Sequence, residues 1–128
     1  MPRRLLPAVL LALALSGCGS EEGGPDMRPG ENCLACHGFT AAGTVFEASG
    51  AGADGVTVTI SDPSTGNVIT SLVTRPSGNF QTSAALGNAF TLQLSRGGAA
   101  SPQMTSGSGA CNHCHVSGGA AGGHLVAP

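Results

Sequence analysis

Apolar and polar residues alternate strictly through the middle of the chain. Val56, Val58 and Ile60 are separated by Thr57 and Thr59, and Phe90, Leu92 and Leu94 by Thr91 and Gln93. Period two places successive side chains on opposite faces of a half-buried strand. Turn-forming clusters punctuate the pattern at residues 50–55, 62–67 and 75–79, each containing Gly with Asp, Asn, Pro or Ser. Strands are therefore predicted near 43–47, 55–61, 67–74, 79–83 and 89–95. Short strands at this spacing imply an all-β fold, a small antiparallel β-sandwich. Helical periodicity is scarce: Ala41-Ala42 and Ser83–Leu86 are read as turns, and Gly-, Ala- and Ser-rich stretches at 95–110 and 117–128 as loops and a tail.

The first residues follow a different pattern. Met1-Pro2-Arg3-Arg4 precedes an apolar run from Leu5 to Leu15 and then Ser16-Gly17-Cys18. Eleven apolar residues are too few to span a bilayer, and the cationic start with small residues before a Cys is how an export signal is built. Leu15-Ser16-Gly17-Cys18 resembles the lipobox of bacterial lipoproteins. That resemblance implies removal of residues 1–17 and lipid on Cys18, with Gly19 after the Cys pointing to the outer membrane, facing the periplasm or the cell exterior. The segment 18–30, rich in Gly, Ser, Glu and Pro, is then a tether, 31–116 the domain, and 117–128 a tail.

Composition bounds what such a domain can do. Of 128 residues only 9% are charged, with five Arg, no Lys and seven Asp or Glu. Loss of Arg3 and Arg4 leaves three Arg against seven acids, so no basic face is available for nucleic acid. Trp and Tyr are absent and Phe numbers four, so the large buried areas that aromatic rings usually supply must come from elsewhere.

Cysteine placement carries the chemistry. With Cys18 set aside, the other four form Cys33-Leu34-Ala35-Cys36-His37 and Cys111-Asn112-His113-Cys114-His115. Cys-x-x-Cys-His is the attachment pattern for c-type haem. Two residues between the thiols let a helical turn match the two vinyl groups of the porphyrin, and the following imidazole then reaches the iron. A four-thiolate zinc site is an alternative, although it must close a loop of 74 residues between Cys36 and Cys111 and leaves both histidines unexplained. Disulfides are the other, in keeping with an exported chain.

The two motifs resemble those of c-type cytochromes, a likeness that covers the hooks and not the fold. It implies two haem c groups, held covalently by Cys33 and Cys36 and by Cys111 and Cys114, with His37 and His115 as proximal iron ligands. It also implies electron exchange with redox partner proteins of the envelope rather than catalysis. For the sixth position Met27 and Met104 are the leading candidates, lying six residues before Cys33 and seven before Cys111. His113 and His124 are their rivals. A crossed arrangement is expected, each Met reaching the other hook's haem, because so short a span has to round the porphyrin edge to serve its own. Between the hooks, Gly43–Phe46, Gly55–Ile60 and Ser77–Phe80 are similar to the carboxypeptidase regulatory-like domain, a transthyretin-like sandwich. That likeness spans residues 40–96 and implies a scaffold without catalytic residues.

Overall fold

A computed structural model describes Gly24 and residues 26–128; the export segment 1–17 and Cys18 lie outside the described residues. The chain is nearly all β, in two sheets. The strands are β1 (Ala41–Phe46), β2 (Thr57–Ser61), β3 (Val68–Val73), β4 (Asn79–Thr82), β5 (Phe90–Arg96), β6 (Ala99–Ala100), β7 (Met104–Ser106) and β8 (Leu125–Val126). One sheet has the order β4-β1-β8; the other runs β3-β2-β5-β6, with β7 also pairing β5. All pairings are antiparallel except β1 with β8.

The alternating segments become the inner layer as their period dictates. Val58 and Ile60 of β2 are opposite Leu94 and Leu92 of β5, and all four are buried. Phe80, Phe90, Val45, Val56, Leu86 and Leu125 complete the core, each large side chain contributing about 1.5–3 kcal/mol by leaving water. Strand β1 departs from alternation: Ala41 through Val45 are all buried. Its Val45 belongs to the core, while Thr44 is hydrogen-bonded by Asn112 of the second Cys-x-x-Cys-His hook, by Gly30 in the segment before the first and by Asn79 of β4.

The structure differs from the sequence reading in four places. Ala41-Ala42 opens β1 rather than forming a turn, because its Cα partners Thr82 and Gln81 extend the ladder with β4. The stretch 95–110 holds two short strands on the edge of β5, and the tail returns to the sheet, with Leu125 beside Val45 and buried in the core. Finally, the end of the tether is pinned: Ser77 donates its hydroxyl to Asp26 at 2.7 Å, and the Gly30 N–H reaches Thr44 Oγ1 at 2.8 Å. Such polar anchoring of a Gly- and Pro-rich stretch depends on residues distant in sequence, so no local pattern announces it.

Candidate functional site

Both hooks fold into a single tight turn. Cys33–Ala35 is a 3-10 turn, capped by Asn32, whose side chain accepts the Leu34 N–H at 3.2 Å. The second hook is a short helix, α1 (Cys111–Cys114). In each, the histidine N–H donates to the carbonyl of the first cysteine at 3.0 Å: His37 to Cys33 and His115 to Cys111. The same five-residue pattern thus closes with the same hydrogen bond twice.

Their surroundings differ. Cys36 and His37 are exposed and Cys33 is half-buried, with the His37 ring stacked on Phe39 at 5.1 Å. Cys111 is 6% exposed and part of the core. Burial pushes its thiol up to about 12, and the nearby Cys33 and Cys114 sulfurs add to the shift. Burial likewise raises the Cys33 thiol, with the Glu31 carboxylate assisting. Among the described residues, Cys33, Cys111 and Cys114 are free thiols.

Topology sets the second hook into the edge of β1 that faces away from β4. Ala42 donates to the Gly109 carbonyl at 2.9 Å, and a parallel bridge joins Ala42 and Ala110. The chain then leaves the strand as α1 and rejoins it at Leu125. Between these pairings Thr44 N–H finds no strand carbonyl; the side chain of Asn112 accepts it at 3.0 Å. Gly43 permits the close approach, since a Cβ there would lie 2.8 Å from Cys111 Cβ and 2.9 Å from Phe80 Cζ.

The other sequence candidates fall around two cavities. One, of about 420 Å³, is lined by Met27, Cys33, His37, Phe39, Arg75 and Phe80 among others. The second, of about 280 Å³, has Met104, His115, His124, Leu92, Leu94 and Leu125 in its wall. Each methionine therefore shares a cavity with its own hook, not with the opposite one. The segment carrying Met27 folds back beside its hook through the Asn79 amide, which donates to the Met27 carbonyl at 2.9 Å, and Met104 sits on β7 opposite Leu92. His124 packs on Phe46 at 4.6 Å, and His113 is exposed.

The donor chemistry fits a haem iron at His115. Its Nδ1 lies 3.1 Å from the Gly123 carbonyl, an arrangement that orients the ring and leaves Nε2 as the available donor. Among the described residues, no group of three or more His, Cys, Asp or Glu side chains is arranged to hold a metal ion directly. Thr44, Asn79 and Asn112 are buried polar residues that tie the second hook and the segment before the first to β1 and β4. No local signal could have picked out Thr44 or Asn79. Asn112 offered one, a polar residue inside a hook whose spacers need no chemistry.

No protein-family model, curated protein or solved structure matches the chain.

Proposed function

We propose that the chain is a dihaem c-type cytochrome, lipid-anchored through Cys18, that carries electrons at the cell envelope on a scaffold like the carboxypeptidase regulatory-like domain. The observation that carries this reading is the duplicated hook, folded twice with the same closing hydrogen bond and each time with its histidine beside a cavity that also contains a methionine. Covalent haem c would be held by Cys33 and Cys36 and by Cys111 and Cys114, with His37 and His115 on the iron. Bound haem supplies a one-electron couple, and its apolar area compensates for the scarcity of aromatic residues. The protein supplies the donors, their orientation and partial exclusion of water, which are the levers that set a potential. Met27 and Met104 are the preferred sixth ligands, with His113 and His124 as rivals. Redox proteins of the envelope are the partners.

The burial of Cys111 in the core favours a second reading, an envelope-anchored binding or structural module whose cysteines form disulfides or hold zinc. Haem attachment requires the Cys111 thiol to turn from the core toward the porphyrin. A visible spectrum of the protein purified from a host competent in haem c attachment separates the two. A Soret band with sharp α and β bands on reduction, and mass spectrometry showing two haems and lipid, are expected; a colourless protein supports the module. For the anchor, Cys18→Ser is expected to release the protein from the membrane fraction or block processing, and unchanged fractionation would exclude the lipid.

A further inference from the structure

The spacer Asn112 is 2% exposed, and a buried amide is costly unless its donors and acceptor are satisfied. All are. Oδ1 accepts the Thr44 N–H at 3.0 Å, while Nδ2 donates to the Glu31 carbonyl at 2.8 Å and to Thr44 Oγ1 at 3.0 Å. Glu31, two residues before Cys33, also receives the Cys33 thiol on that carbonyl at 3.6 Å. Thr44 Oγ1 in turn accepts the Gly30 N–H at 2.8 Å and donates to Asn79 Oδ1 at 2.7 Å, and Asn79 Nδ2 holds the Met27 carbonyl at 2.9 Å. One side chain inside the second hook thus grips the backbone entering the first, through a network that also reaches the Met27 segment.

We infer that Asn112 is a positioning residue that latches the two hooks to each other across β1 and so fixes the relation between their cofactors. The latch rests on hydrogen bonds present without any cofactor; its effect on haem rests on the dihaem reading above. Residues 27–36 carry little core of their own, so polar bonds rather than apolar burial must hold the first hook in register. Removing the Nδ2 donations should loosen that hook and leave the β2–β5 core intact.

The test is Asn112→Asp in the full chain, which keeps an acceptor for the Thr44 N–H and removes both donations. Thr44→Val, which removes the hydroxyl at the centre of the network, serves if the first variant does not fold. In haem-free protein, amide exchange across residues 30–36 is expected to quicken about tenfold, the worth of roughly one net hydrogen bond, with β2 and β5 unchanged. In haem-loaded protein, both variants are expected to retain two haems while the Soret circular dichroism, which senses relative haem orientation, and the separation of the two potentials change. Unchanged exchange at 30–36 in the folded variants would overturn the latch. Faster exchange with unmoved dichroism and potentials would overturn its haem-positioning role. A wild-type chain without haem would overturn the dihaem reading, and with it that role, leaving the latch to be decided by exchange.

Discussion

The two hooks share a motif and a closing hydrogen bond, yet one stands largely in solvent and the other is built into a sheet edge. Cys36 and His37 are exposed, whereas Cys111 packs with Phe80 and Ala41 in the core and Asn112 replaces a missing strand partner of β1. The motif specifies what the site can bind; its place in the fold specifies how much the fold depends on it. The second hook is consequently a structural element as well as a candidate attachment site, while the first is held mainly by hydrogen bonds to its approach.

The sharpest way to break this comparison is to delete each cysteine pair in turn. Cys33→Ala with Cys36→Ala, and Cys111→Ala with Cys114→Ala, are each expected to lower the pyridine haemochrome yield from two haems per chain to one. The fold responds unequally. In haem-free protein under reducing conditions, the second pair should cost about 1–2 kcal/mol, because Cys111 behaves as a small buried hydrophobe, and the first less than about 0.5 kcal/mol. Equal losses in urea melts would show that the hooks are embedded alike.

Gly43 tests the sheet-edge hook without touching a cysteine. Gly43→Ala places a methyl where Cys111 Cβ and Phe80 already lie within 3 Å. Overpacking of this kind costs about 1–3 kcal/mol and should displace α1 from β1. Thermal melting and the haem count per hook, read by mass spectrometry of proteolytic fragments, check it: occupancy is expected to fall at Cys111 and Cys114 and stay at Cys33 and Cys36.

How much of this was legible in the sequence follows the range of the interactions. Strands β2 and β5 answer to period two and the turns between strands to Gly-rich clusters, both local, and Val58, Ile60, Leu92 and Leu94 face inward as their alternation requires. The hooks were legible as one five-residue spacing that occurs twice, and both copies close with the same hydrogen bond. Strand β8 was not, since Leu125 and Val126 gain a partner only by parallel pairing with a strand some 80 residues earlier. Nor was the side chain of Asn112 in place of a strand carbonyl, a substitution that only the assembled edge of β1 creates.

The methionines give a finer distinction between the hooks. With Met27 lining the cavity of His37 and Met104 that of His115, single variants should act on separate haems. Thioether ligands stabilise ferrous iron, so Met27→Ala should lower the potential of the first-hook haem and Met104→Ala that of the second, each weakening the sulfur-to-iron charge-transfer band of the oxidised protein. Combining each with deletion of one cysteine pair assigns the effect. A potential that moves only when the opposite hook carries haem would show the crossed arrangement instead. If the band is missing from the wild type and substitution of His113 or His124 alters the spectrum, the ligands are histidines.

The smallest expected effect comes from a contact outside both hooks, and it tests whether they respond independently of the rest of the fold. Arg96, the last residue of β5, grips Glu47, just after β1, with Nη1 to Oε1 at 2.6 Å and Nη2 to Oε2 at 2.9 Å, tying the two sheets together at one end. The paired hydrogen bonds, reinforced by the guanidinium charge, hold the Glu47 carboxyl below its ordinary range. A carboxyl whose pKa is depressed on folding stabilises the native state above its unfolded value, and that contribution is lost as pH falls through the folded value. Arg96 stays charged throughout. The melting temperature of the wild type should therefore exceed that of Glu47→Gln by a constant margin near neutrality, and the margin should close on acidification below the usual carboxylate range of about 4. Exposure of the pair keeps the margin small and makes it shrink in high salt. Both haem potentials should be the same in Glu47→Gln as in the wild type; a shift in either would mean that the hooks sense the packing of the two sheets and not only the polar network around Thr44.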